Sequence, residues 1–376
     1  MKNSTKAVFR TALMAGLCLA GTITSLSAEE PWKITDARDL RVINRGWPDG
    51  QHPYRRLPDF LQDSIRPNLG EQAKSSAGVA VRFATNSSRI GARYQLLYDG
   101  HMNHMADTGI KGADLYIFEG DSVWRHVNTV RPYLQDAENK IVDADIISNL
   151  DTTKMTEYMI YFPLYDGVEK FEVKVDPEAR LNAGSEKLID KNLRVVTYGT
   201  SIMQGGCASR PGMASSNIIS RELNAEVINL GFSGEGKMDY CVARAMAQIP
   251  DVSLFILDPV PNCDREMCDT LTSGFINIIR AANPEVPILM VEGPIFPFAR
   301  YNPAEGEFLR SKNAAFRRNY EELRAAGDNN LYFVDSVNLD GIEDDGTVDG
   351  IHLTDLGFRH YADKVMPVIR QILKND

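Results

Sequence analysis

A serine, a histidine and an aspartate in this chain stand where a nucleophile, its base and an orienting carboxylate would be needed. Ser201 lies in Gly199-Thr200-Ser201-Ile202, directly after an apolar, β-branched run that ends at Tyr198. A buried strand that breaks at glycine into small hydroxyl residues leaves the serine at the strand's carboxyl end, where open α/β sheets bind ligands. A serine hydroxyl is a weak nucleophile at neutral pH and needs a base beside it. His352, in Asp349-Gly350-Ile351-His352, is the candidate. Asp349, three residues earlier, can fold back onto the ring nitrogen that faces away from the nucleophile, which fixes the tautomer and stabilises the imidazolium. Gly231 follows a second apolar run, and Asn262 follows Asp258-Pro259-Val260-Pro261. A glycine N–H, a serine N–H and an asparagine amide can together hold a developing oxyanion. Each feature also has an ordinary reading. Gly-Thr-Ser is a common turn or helix cap, glycine and asparagine are common turn residues, and the loop before His352 reads equally as a capping loop.

The elements that must position these groups alternate in the second half of the chain. Candidate strands are Leu193–Tyr198, Val227–Leu230, Leu254–Asp258, Ile288–Glu292 and Leu331–Asp335. Helical patterns lie between them, clearest at Leu309–Ala326 and Leu356–Leu373. Strands alternating with helices predict βαβ units and a three-layer parallel sheet. The candidate groups would then converge on one sheet edge. The first half differs in texture. Short alternating runs, such as Gly78–Phe83, Arg89–Leu96, Asp114–Phe118 and Phe171–Val175, are separated by turn residues. Period-two alternation of this kind predicts an antiparallel β-sandwich. Residues 30–75 are rich in Pro, Arg and Asp and read as a segment that wraps over a domain. The expected division is a signal peptide over 1–28, an all-β, jelly-roll-like sandwich over 29–185 and a parallel-sheet α/β domain over 186–376.

Lys2, Lys6 and Arg10 precede an apolar stretch from Thr11 to Leu26, and small residues precede Glu29. That is the pattern of a cleaved secretory leader, so an exported protein, periplasmic or secreted, is expected. No later run is long enough to span a bilayer. The chain carries a net charge of −10, and loss of the three cations in 1–28 takes it to −13. So acidic a chain argues against a nucleic-acid partner. Cys207, Cys241, Cys263 and Cys268 would remain after cleavage. Cys263 and Cys268 are close enough in sequence to bridge, and free thiols are the equal alternative; the spacing does not suit a structural zinc site.

Four blocks in order, Gly199-Thr200-Ser201-Ile202, Gly231, Asn262 and Asp349-Gly350-Ile351-His352, resemble those of the SGNH (GDSL-type) hydrolases, over about residues 193–376. The first block departs from Gly-Asp-Ser-Leu at two positions, and Val260-Pro261-Asn262-Cys263 departs from the usual Gly-x-Asn-Asp. The stretch His101-Met102-Asn103-His104-Met105, with Gly112-Ala113-Asp114-Leu115-Tyr116, is similar to the sandwich that precedes some bacterial members of the family. The resemblance implies a flavodoxin-like fold and a Ser201–His352–Asp349 triad. It also implies an oxyanion hole of Ser201, Gly231 and Asn262, and hydrolysis of acyl esters, acetyl above all, on carbohydrates. No cofactor and no metal are expected, since His-x-x-His lacks an obvious third ligand. The alternatives are an O-acyltransferase using the same triad and a non-catalytic glycan-binding protein. A phosphate-binding loop at Gly199 would want a Gly-Lys-Ser/Thr ending, which is absent.

Overall fold

A computed structural model describes residues 31–61, 64–120, 123–185, 193–342 and 344–374. The leader expected over 1–28 lies outside them, as do residues 186–192, where the expected boundary between halves falls.

The first half forms two antiparallel sheets. One has the order β1 (Lys33–Asp36), β10 (Val168–Val175), β4 (Ile90–Leu96), β8 (Ile141–Ile147) and β7 (Leu134–Asp136). The other runs β11 (Leu181–Ala183), β3 (Ala80–Thr85), β9 (Thr156–Tyr161), β5 (Asp114–Glu119) and β6 (Val123–Thr129), with β2 (Arg41–Ile43) also on β3. Alternation does what it should in β4: Ile90, Ala92, Tyr94 and Leu96 are buried while Arg93 and Gln95 reach outward. These residues meet Val81, Phe83, Leu115, Ile160 and Phe171 in the sandwich core. Tyr94 and Phe162 both stack on Phe171, at 5.3 and 4.2 Å between ring centres.

Strand β3 breaks the alternating pattern, because all six of its residues are buried. Its sheet is covered on both faces. The outer face carries Ala80, Tyr116, Trp124, Met159 and Tyr161 as a second cluster. Tyr161 donates its hydroxyl to the Asn217 carbonyl at 3.3 Å, and Trp124 donates its indole N–H to Asn224 at 3.1 Å. The sandwich is therefore packed face-on against the second half.

That second half is one parallel sheet in the order β13 (Glu226–Gly231), β12 (Arg194–Gly199), β14 (Leu254–Asp258), β15 (Ile288–Val291) and β16 (Leu331–Val334). This is the 2-1-3-4-5 order of a doubly wound fold. Both faces are covered. Val196 and Tyr198 point to Val242, Met246, Phe275 and Phe316. Val195 points to Ile218, Phe358, Val365 and Ile369. The helix expected from Leu309 begins earlier, at Pro303, because Asn302 caps it by accepting from the Glu305 N–H at 3.3 Å. Proline at the first helical position is compatible with such a start. The wrapping segment does wrap: Leu57, Leu61, Leu69 and Ala73 lie in the same cluster as Leu230, Phe232 and Val242.

One buried carboxylate ties the halves together. Asp114, with no solvent exposure, accepts from Arg210 Nη1 at 2.8 Å, from the Gly212 N–H at 2.8 Å and from Thr129 Oγ1 at 2.6 Å. Removing one member of a buried ion pair leaves its partner uncompensated, at about 3–5 kcal/mol. Asp114→Ala should lose roughly that much stability in urea unfolding, and a variant with an unchanged midpoint would show that the pair carries no weight.

Candidate active site

The nucleophile's turn is built by steric necessity. A Cβ on Gly199 would sit 2.8 Å from both the Asp258 carbonyl and the Met203 Cβ, so β12 ends there on a residue without a side chain. Thr200 then caps a short helix, Ser201–Gln204, its hydroxyl accepting from the Ile202 N–H at 3.3 Å. Gly205 closes the helix in the left-handed region at φ 107°, which costs a glycine nothing. Ser201 is left 7% exposed at the helix N-terminus.

Its hydroxyl meets His352. Ser201 Oγ lies 3.0 Å from His352 Nε2, and His352 Nδ1 lies 2.7 Å from Asp349 Oδ2. With Nδ1–H donating to the carboxylate, Nε2 keeps the lone pair that accepts the serine proton. The Asp349–His352 loop holds itself in shape. Asp349 Oδ1 accepts from the N–H groups of Ile351 at 3.0 Å and His352 at 2.8 Å, while Gly350 takes φ 88° between them. Burial would raise the Asp349 pKa, but the hydrogen bonds from the His352 ring and from these two N–H groups outweigh it and hold the carboxyl at about 2. His360, the other histidine of this half, lies inside the helix Asp355–Ile372.

The expected oxyanion donors divide. The Gly231 N–H is already engaged, donating to Asn229 Oδ1 at 2.9 Å. A Cβ on Gly231 would fall 2.2 Å from the Gln204 nitrogen. Gly231 is a glycine because the helix Ser201–Gln204 packs on its backbone, and its N–H is taken by Asn229. Three residues on, Gly234 sits at φ 70° with open space where a side chain would be, and its N–H has no partner among the described residues. Asn262 lies beside this loop, donating one amide hydrogen to the Phe232 carbonyl at 3.1 Å and keeping the other.

Three supporting residues lie outside the sequence motifs. Buried Asn229 donates to the Met203 carbonyl and to Ser216, each at 2.8 Å, while accepting from Gly231. Gln204 accepts from the Ser233 N–H at 2.9 Å and donates to the Leu164 carbonyl at 3.1 Å. Arg56 reaches from the wrapping segment to the Gly231 carbonyl, to Gln72 at 2.6 Å and to Ser75 at 3.0 Å, with its guanidinium 4.8 Å above the Phe232 ring. Burial, with no carboxylate partner among the described residues, pushes that guanidinium down to about 9. Apart from the bond from the Gly231 N–H to Asn229, two residues earlier, these contacts have no local sequence signal.

The sandwich also reaches the site. His104 places its ring 5.4 Å from that of His352, whereas His101 turns away to Asp107 at 2.9 Å. Cys207 lies nearby, but burial and then the Asp349 charge push its thiol up to about 12, so it is no rival nucleophile at neutral pH. The four cysteines of the described residues are all free.

A sheet of this order, with a serine, a histidine and an aspartate aligned at its carboxyl edge, defines an α/β fold able to activate a serine for acyl transfer. Residues 192–370 match the GDSL-like lipase/acylhydrolase family, and residues 32–181 match the N-terminus of the SGNH-hydrolase-type esterases. A candidate GDSL-like lipase from Bacteroides ovatus is 31% identical, with 92% of this chain and 98% of that one covered and a TM-score of 0.85. The chain belongs to the GDSL-like lipase/acylhydrolase family, and it is a carboxylic ester hydrolase. Two further solved structures share the fold. A salicylyl-acyltransferase from a tetracycline biosynthetic pathway is 16% identical, covering 91% of this chain and 98% of its own, with a TM-score of 0.71. A family two carbohydrate esterase from Cellvibrio japonicus is 15% identical, covering 92% and 98%, with a TM-score of 0.56. No curated protein matches the chain.

A depressed carboxyl pKa links to stability. Asp349 ionises more readily folded than unfolded, so its contribution is present above the unfolded value of ~3.9 and is lost as pH falls toward about 2. Asp349→Asn should therefore be less stable than the wild type at neutral pH, and the gap should close over that acid window. A gap that stays constant down to pH 2 would contradict this.

Proposed function

We propose that the protein is an exported serine esterase that removes acyl groups, acetyl above all, from carbohydrates. The reading rests on one observation: the unbroken line from Ser201 Oγ through His352 Nε2 and Nδ1 to Asp349 Oδ2, with links of 3.0 and 2.7 Å. Ser201 attacks the ester carbonyl and His352 takes its proton. His352 then gives that proton to the departing sugar oxygen, which leaves as a hydroxyl, and in the second half-reaction it activates water against the acyl-enzyme. Asp349 keeps the ring in register and balances its transient charge. The oxyanion is held by the N–H of Ser201, the free amide hydrogen of Asn262 and, in place of Gly231, the N–H of Gly234.

Two considerations support a sugar substrate. The shared fold recurs in proteins described as carbohydrate esterases, among them one from Clostridium thermocellum in complex with cellohexaose. The sandwich, residues 29–185 by this reading, also brings the His104 ring to 5.4 Å from that of His352. Among the described residues, no helix is long and apolar enough to cross a membrane.

Acetate release from a panel of acetylated glycans tests the substrate, and kinetics on the best of them tests the residues. His352→Ala should cost nearly as much activity as Ser201→Ala, since members of a triad act as a unit. Asn262→Ala should lower kcat by ~10²–10³ with KM little changed. An active Ser201→Ala enzyme, or acetate release from no glycan, would overturn the reading. Export is tested separately by sequencing the N-terminus of protein recovered outside the cytoplasm, which should begin at Glu29.

A further inference from the structure

The loop that the sandwich sends to the active site places more than bulk there. One ring nitrogen of His104, one of His352 and the Cys207 sulfur all lie within 4.8 Å of one another. They come from three separate stretches of chain: a sandwich loop, the loop after the nucleophile's helix, and the loop before the last helix. His-x-x-His alone offers no third ligand. The fold discards His101 from that pair and supplies Cys207 and His352 instead.

Both histidines are prepared in the same way. His104 donates Nδ1–H to Asn103 Oδ1 at 2.9 Å, which leaves Nε2 with its lone pair. His352 donates Nδ1–H to Asp349 at 2.7 Å, with the same result. A metal-binding histidine almost always has its second ring nitrogen tied to a carbonyl or carboxylate in this manner. Cys207 is held in position too. Its backbone takes φ 74°, unusual for a residue with a side chain, and its N–H contacts Met105 Sδ at 3.5 Å. Two imidazoles and a thiol are a donor set for a soft or borderline divalent cation rather than for calcium or magnesium. Zinc legs of ~2.0–2.3 Å set tetrahedral ligands about 3.3–3.8 Å apart, so side-chain adjustments of about 1 Å would close the site.

We propose that His104, Cys207 and His352 form an inhibitory site for zinc or a zinc-like divalent cation. The ion takes the His352 Nε2 lone pair that otherwise accepts the Ser201 proton. The Cys207 thiol releases its proton to solvent on binding, and the fourth position goes to water or to Ser201 Oγ. The ion and the acyl reaction exclude each other because they need the same lone pair. The loss of activity rests on the esterase reading; the binding does not.

The test is zinc titration of the full-length protein in competition with a fluorescent chelator, with ester hydrolysis followed on the same samples. Wild type should bind one equivalent and lose hydrolysis in proportion, and chelation should restore it. Cys207→Ser and His104→Gln should each weaken zinc binding by at least ~10-fold, and their inhibition is scored against each variant's own zinc-free rate. His101→Gln should bind zinc as the wild type does. Circular dichroism checks that each variant is folded. Cobalt provides a readout without substrate: the wild type should show a thiolate-to-cobalt charge-transfer band that Cys207→Ser lacks. Absence of that band, no stoichiometric binding, or equal losses in His101→Gln and His104→Gln would each overturn the proposal. If no ester is hydrolysed at all, the binding and cobalt measurements still decide it.

Discussion

The hydrogen bond between His352 Nδ1 and Asp349 is the contact on which the rest of the site depends. It selects the tautomer, and the tautomer decides whether Nε2 can accept a proton from Ser201. A 2.7 Å bond to a carboxylate that remains ionised far into acid is a strong constraint on a ring that otherwise could turn. The constraint is inexpensive to build, because Asp349 and His352 share one loop and the same carboxylate also accepts two backbone N–H groups. The loop needs only Gly350 at positive φ to close. What the tertiary fold must then do is bring that loop to the end of β12, and the helix Asp355–Ile372, packed on the sheet through Phe358, Val365 and Ile369, does so.

The loop proposed to hold the oxyanion has no such local solution. Residues 231–235 are held from several sides, by Asn229 from within the same stretch and by two groups distant in sequence. Arg56 takes the Gly231 carbonyl, Asn229 takes its N–H, and Gln204 takes the Ser233 N–H. Ser75, in the wrapping segment, accepts from both Arg56 and Gln204. The first half of the chain is therefore part of the support of the catalytic edge. The carboxylate of Asp114 makes the same link from the sandwich to the loop that follows the nucleophile, since Arg210 and Gly212 both bond to it. Tyr116, two residues on, packs so close to Gly212 that a Cβ there would meet its hydroxyl at 2.1 Å. The Gly-Ala-Asp-Leu-Tyr stretch is thus an interface element, and its aspartate is buried because its partners lie in the other half. A buried carboxylate requires that its partners be present.

Preorganisation explains why so many groups serve so small a loop. Charge appears on the substrate oxygen only in the transition state, and donors that must first be ordered contribute less to stabilising it. Gly234 has no side chain and sits at positive φ, so its orientation depends on its neighbours. Ser233 on one side is fixed by Gln204, and Glu235 on the other donates its N–H to the Phe232 carbonyl at 2.9 Å. Asn262 bonds to that same carbonyl. The two non-serine groups proposed as donors are thereby set relative to each other.

The residue pattern alone determined the elements and the local chemistry. Apolar runs marked the five parallel strands, since a strand buried on both faces must read that way. The sequence spacing of Asp349 and His352 was enough to pair them, because three residues and a glycine are all the contact requires. Contacts between distant segments were decided only in three dimensions. Gly231 and Gly234 look alike in sequence, and what separates them is which N–H Asn229 takes and how closely the Gln204 backbone approaches. His101 and His104 likewise look equivalent, yet a helical turn at Asp107–Ile110 sets Asp107 beside the one and leaves the other facing His352. Arg56 had no signal at all, since an arginine in a loop is ordinarily solvated. Besides the Ser75 hydroxyl, its partners are the carbonyls of Gln72, Ser75 and Gly231, backbone groups that every residue carries and that no side-chain pattern names. Hydrogen bonds to the main chain leave no trace in residue types, and it is these that aim the oxyanion loop.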